Sequence, residues 1–201
     1  MKADLAIWDI SYKAAGNSLP EVNTQIDQNQ KDIRVFLAKN GFVDGDIESQ
    51  PTTVIDQYAQ EYASSNKPAQ RYIVTGGIKV RTDKVDLVRK VSQMTSDLIQ
   101  SGIVLVNKEY NANPRYLYTK LEEIRPEMLK QATQSARAMA LQFAADSSSN
   151  LGSIRRANQG IFQILSAESN AGQAVPQDGD QLTGIYKTVR VVSSVDYYLA
   201  N

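Results

Sequence analysis

Ile124-Arg125-Pro126-Glu127-Met128-Leu129-Lys130-Gln131-Ala132 runs on through Ser135-Ala136-Arg137-Ala138-Met139-Ala140 to Asn150-Leu151-Gly152-Ser153-Ile154, and its reading decides the fold. Leu129, Ala132, Ala136, Met139, Ala140 and Phe143 recur at the three-and-four spacing of one helical face. Lys130, Gln131, Gln134, Arg137 and Gln142 fall mostly outside that face. Side chains as small as alanine let a helix sit close on a neighbouring surface. The spacing therefore predicts the central helix of a sheet-and-helix core. Ser147-Ser148-Ser149-Asn150 then releases the chain into a long strand reaching about Ile164.

Working outward, residues 4 to 13 alternate, with Ala6, Trp8, Ile10 and Tyr12 on one side and Asp9, Ser11 and Lys13 on the other, as in a strand with one wet face. Ser18 with Glu21 reads as a capping box, with Pro20 in the first turn. The helix that follows buries Val22, Ile26, Ile33 and Leu37 and stops at Asn40-Gly41. Ile47 to Ile55 is extended, and Pro51 makes it an edge or irregular strand. Tyr72 to Val80 alternates again around Gly76-Gly77, a pair that marks a bulge or a close backbone approach. Thr82 or Asp83 caps a second helix lined by Val88, Val91 and Leu98 and ended by Gly102. Ile103 to Tyr110 and Tyr116 to Leu121 read as strands, and the closing strand carries Val189, Val191, Val195, Tyr197 and Leu199 on one face.

The order is strand, helix, two strands, helix, two strands, helix, two strands. This predicts an α+β fold, a mostly antiparallel mixed sheet with three helices packed on it, in one domain spanning residues 1–201.

Several stretches also carry a family resemblance. Arg125-Pro126-Glu127, Ala132, Ala136, Ala138, Phe143-Ala144, Asp146, Leu151-Gly152-Ser153-Ile154 and Gln159-Gly160-Ile161-Phe162 together resemble the SIMPL-domain family of bacterial envelope proteins. Ala3-Asp4-Leu5-Ala6-Ile7-Trp8 is similar to that family's early strand, and Val189-Arg190-Val191-Val192 with Val195-Asp196-Tyr197-Tyr198-Leu199 to its closing one. The resemblance implies the same α+β fold and a non-catalytic periplasmic or extracytoplasmic protein, stress-related, acting through self-assembly or partner binding. It carries no catalytic motif. It also implies an export signal or inner-membrane anchor, and another short strand, ahead of Met1.

Composition removes whole classes of chemistry. The 22 basic and 22 acidic residues cancel, so no overall field favours nucleic acid or anionic lipid. With no Cys and no His, disulfides, thiolate chemistry, thiolate or imidazole metal sites and imidazole acid–base catalysis are excluded, and no cofactor is expected. No apolar run approaches the ~20 residues that span a bilayer.

Tyr58 and Tyr62, on a loop-like stretch from Gln57 to Gln70, are the candidate partner contacts. They either pack locally over the sheet edge or present aromatic surface to a partner, which is expected to be a second copy or another protein. Gly76-Gly77 lacks the spacing that cradles a pyrophosphate. Arg155 and Arg156 point to opposite faces of a strand and cannot clamp one phosphate, which leaves at least one as a solvated edge charge. Asp44-Gly45-Asp46 and Asp178-Gly179-Asp180 read as turns, because calcium needs six to eight oxygens and the later acidic ligands are missing. A hydrolytic pair at Asp44 and Asp46 would need a held separation that neighbouring turn acids rarely keep. A small-ligand or peptide carrier is the alternative to the assembly reading, with Trp8, Tyr72, Tyr110 and Tyr116 either lining a pocket or filling the core.

Overall fold

The computed structural model describes residues 1–59, 68–106, 113–167 and 180–200. The chain forms two compact units, one of Asp4–Leu117 and one of Met1–Ala3 with Tyr118–Asn201.

The first unit contains β1 (Leu5–Gly16), α1 (Leu19–Lys39), a 3-10 turn at Asp44–Asp46, β2 (Ile47–Asp56), β3 (Tyr72–Thr82), α2 (Val85–Ser92), α3 (Ser96–Gln100), β4 (Val104–Leu105) and β5 (Arg115–Leu117). The strands form one sheet in the order β2-β3-β1-β4, with β5 also paired to β1, and every pairing is antiparallel. Ala6, Trp8, Ile10 and Tyr12 of β1 and Val74, Ile78 and Val80 of β3 are buried on one face. Val22, Ile26, Ile33 and Leu37 are the buried stripe of α1, which packs on β1 and β3. Burying one such side chain is worth about 1.5–3 kcal/mol, and this is the molecule's main core.

The ends of α1 divide the expectations. At its start Ser18 makes no side-chain cap bond, so the expected capping box is not formed, although its carbonyl accepts the Val22 N–H at 3.1 Å. At its end Gly41, with φ of 96°, turns left-handed. The Phe42 N–H donates to the Leu37 carbonyl at 3.2 Å and the Gly41 N–H to Ala38 at 3.0 Å, a Schellman closure over buried Phe42.

Pro51 sits where β2 slips against β3, between Gln50 and Thr53, so β2 is both an edge strand and an irregular one. On β3, Gly76 provides the close approach: a Cβ there would lie 2.7 Å from ring carbons of Tyr12. The second helix divides into α2 and α3, which bury Val88, Val91 and Leu98, and Gly102 (φ 88°) follows.

Burial pushes the phenol of Tyr12 up from its ordinary range, with Asp27 adding and Arg34 opposing. Burial does the same to Tyr116, with Arg89 opposing and Asp86 adding. A raised folded-state value means that the unfolded phenols, near pKa 10, lose their protons first. Stability is then whole below about pH 10 and declines as pH rises beyond it. Thermal melts across alkaline pH should show that decline, and Tyr12→Phe should flatten part of it.

The second unit contains α4 (Leu121–Asp146), β6 (Asn150–Ser166), α5 (Asp180–Thr183) and β7 (Lys187–Ala200). β6 and β7 form a separate two-stranded antiparallel sheet, and α4 lies over β7 and, less, over β6. The α+β class and the antiparallel pairing stand as expected. The strands, however, divide between two sheets, so α4 is not the central helix of the main core. It also begins at Leu121, one turn before the expected Arg125-Pro126-Glu127 opening.

The covered stripe of α4 is a row at every fourth residue: Ile124, Met128, Ala132, Ala136 and Ala140 are half-buried and Ala144 is buried. Met139 and Phe143, expected inside, are 61% and 68% exposed. The reason is geometric. Strands lie about 5 Å apart, so a two-stranded layer is little wider than a helix of about 10 Å, and the flanks of the helix find no cover.

Candidate functional site

The sequence-predicted residues fall into place one by one. Tyr58 lies beside β2 and its hydroxyl donates to the Pro68 carbonyl at 3.3 Å. Its N–H donates to Asp56 Oδ1 at 3.0 Å. Arg71 stacks on the Tyr58 and Tyr72 rings, 5.7 and 4.8 Å from their centroids, and donates to Asp56 at 2.9 Å through Nη2. That hydrogen bond holds the Asp56 carboxyl below the usual carboxylate range, the Tyr58 N–H helping. The described surroundings of Tyr58 are thus a local clip, with the ring still 44% exposed. Tyr62 lies outside the described residues, as do Tyr110, Asp178 and Gly179.

Trp8 and Tyr116 are buried in the first unit's core, and Tyr72 lies half-buried against Arg71. Trp8 lines a groove of about 230 Å³ with Asp9, Ser11, Ser92, Thr95 and Asn113. A groove of about 360 Å³ is on the sheet face away from α1 and is lined by Asp9, Ser11, Thr75, Lys79 and Arg115 together with Pro51 and the Gly76-Gly77 backbone. Register places Glu48 opposite Lys79 and Lys79 opposite Asp9, and Arg115 Nη2 meets Asp9 Oδ2 at 2.8 Å. The charges alternate in sign across the strands and largely neutralise one another, so the groove presents a mixed, mainly polar wall.

Asp44 is 98% exposed at its side chain, 3.6 Å from Arg34. Asp46 accepts the Val43 N–H at 3.2 Å and faces the Lys84 ammonium at 3.4 Å. These are turn and surface-pair roles. No group of three acidic side chains placed to hold a metal exists among the described residues, and no helix among them is long and apolar enough to cross a membrane.

The feature that sequence reading missed is the difference between strand edges. β6 is 17 residues long and β7 is 14, and the ribbon register slips between Leu151 and Ile154, between Ile154 and Arg156, and between Gln159 and Phe162. Each slip places the extra residue in β6. Gly152 and Gly160 lie inside two of them, with the Tyr198 and Val192 carbonyls where a Cβ would go, and Arg155 is the extra residue of the third. Arg155 and Arg156 are both exposed, and Arg156 stands opposite Asp196. A glycine inside a strand is a bulge signal, and those two were the available clue.

β7, by contrast, is regular. Its edge away from β6 already accepts backbone: the Met1 amine donates to the Lys187 carbonyl at 2.7 Å, the Lys187 N–H to Met1 at 2.7 Å, and the Ala3 N–H to Ile185 at 2.8 Å. Beyond Lys187 no described strand pairs with that edge. Val192 and Tyr198, on the face of β7 away from α4, are 53% and 56% exposed.

These features define an α+β protein of antiparallel sheets. A family model described as SIMPL, a protein of unknown function (DUF541), matches residues 1–196. The chain belongs to the SIMPL family. No curated protein matches it.

Proposed function

We propose that this chain is a non-catalytic extracytoplasmic protein that works by assembling with further copies of itself. What supports this is the exposure of the second unit. Among the described residues its buried apolar side chains are Ala3, Ala144 and Ile185, while Phe143, Ile154, Ile161 and Leu199 stand in solvent. A helix on a two-stranded ribbon is marginal by itself, because too little apolar area leaves water to offset the entropy of ordering the chain. A second copy laid on the ribbon would supply the missing cover. The extracytoplasmic location is carried by family resemblance alone.

Light scattering and sedimentation over a range of concentrations test the assembly. The expected mass is a multiple of 22.2 kDa that falls on dilution. A strict monomer at every concentration overturns the proposal, and an export signal encoded upstream of Met1 would support the location.

A further inference from the structure

We propose that the dip over Gly77, on the sheet face of the first unit away from α1, is a binding site for a neutral saccharide. The dip has a simple cause. On this face Thr75, Gly77 and Lys79 of β3 alternate with the buried Val74, Ile78 and Val80, and register sets Gln50 and Ser11 on either side of Gly77. The centre of the face therefore has no side chain, and the short Ser11 and Thr75 beside it leave the space open. Pro51 bounds it where β2 slips against β3. The resulting groove of about 360 Å³ falls at the small end of the range for small-molecule sites. It lies wholly within the first unit and does not depend on the assembly proposed above.

The chemistry of the wall selects the ligand. Glu48, Lys79, Asp9 and Arg115 follow one another across the strands with alternating sign, so no net charge is left to hold an ionic ligand. Hydrogen-bonding capacity is left instead. Arg115 spends one N–H on Asp9, and among the described residues the Lys79 ammonium, the Ser11 and Thr75 hydroxyls and the Gln50 amide have no partner. Donors at Lys79 and Arg115, an acceptor at Asp9, and groups at Ser11, Thr75 and Gln50 that both donate and accept thus surround one opening. The matching ligand is uncharged and carries, at several neighbouring positions, groups that also do both. A ring of hydroxyls meets that description, and the Pro51 ring offers its C–H face an apolar contact. An extended peptide does not. The floor strand β3 is already paired on both sides, so it has no free backbone edge to add a strand to.

The test titrates the full chain with neutral disaccharides of glucose, galactose and N-acetylglucosamine and follows backbone amide chemical shifts. At least one sugar should move the Gly76, Gly77 and Ser11 amides to saturation. The dissociation constant should be on the order of 1 mM, because an open groove buries little apolar area. Gly77→Ala places a methyl in the floor of the dip. The new Cβ would stand 3.0 Å from Gln50 Cβ, a side chain that can give way, so the fold is kept while binding weakens by at least about tenfold. Thr75→Val keeps the shape of the wall and removes one hydroxyl. It should weaken binding by about fivefold, the loss of one hydrogen bond, with the thermal midpoint of the protein unchanged.

Two results overturn the proposal. If no neutral disaccharide moves these amides, or if glucuronate or glucosamine binds more tightly than the neutral sugars, the saccharide is the wrong class of ligand. If a sugar binds and neither Gly77→Ala nor Thr75→Val weakens it, the groove is the wrong place. Self-association is read separately by sedimentation, so the saccharide site and the assembly stand or fall independently.

Discussion

Gly76→Val should destabilise the first unit by about 3 kcal/mol, at the upper end of what overpacking a core costs. Strand propensity alone argues the other way, since a β-branched residue is favoured over glycine within a range of about 1 kcal/mol. The clash decides. Cε2 and Cζ of Tyr12 lie 2.7 Å, and its Oη 2.8 Å, from where any Cβ at position 76 must stand, and Tyr12 is only 1% exposed, packed inside the core. Urea titration should show the loss as a lower midpoint. Adding Tyr12→Val should restore part of it, because the ring that creates the conflict is then gone, and the two changes should be clearly non-additive. A Gly76→Val protein as stable as wild type would mean that the ring and the strand do not meet.

Leu37→Ala should cost about 2–5 kcal/mol, the range for emptying a fully buried leucine site, and it should do so at any protein concentration. Leu37 is 0% exposed, and its carbonyl also accepts the Phe42 N–H that closes α1. Phe143→Ala is the informative comparison. Phe143 is 68% exposed in the single chain, so its truncation should change the stability of dilute protein by no more than about 0.5 kcal/mol. Denaturation of both variants at low and high concentration measures the contrast. A large loss from Phe143→Ala in dilute protein would contradict the exposure of α4, and a small loss from Leu37→Ala would contradict the core of the first unit.

The element order was legible because it rests on local patterns. Alternation at Ala6, Trp8, Ile10 and Tyr12 and the buried stripe from Val22 to Leu37 each report the face of one element, and both stripes are buried. Punctuation by Asn40-Gly41 and Gly102 was legible for the same reason, since both glycines take positive φ.

What was not legible depends on partners distant in sequence. Whether a strand joins a wide sheet or a two-stranded ribbon is a matter of pairing, and that width decides how much of α4 is covered. The alanine row at 132, 136, 140 and 144 could be read from spacing, yet Met139 and Phe143 fit the same helical face and only the narrow layer excludes them. Ser18 and Glu21 have the right spacing for a capping box that the structure does not make. At the candidate site, Tyr58 was visible as an aromatic on a loop, but its bond to Pro68 and the Arg71 stack join residues from opposite ends of that loop.

Backbone amide exchange read residue by residue at two protein concentrations tests the central claim most directly. The account predicts that the amides of α4 and β6 in the second unit exchange more slowly in concentrated protein than in dilute protein, while those of β1 and β3 in the buried core of the first unit stay equally protected at both. Equal exchange of the second unit at both concentrations would contradict it.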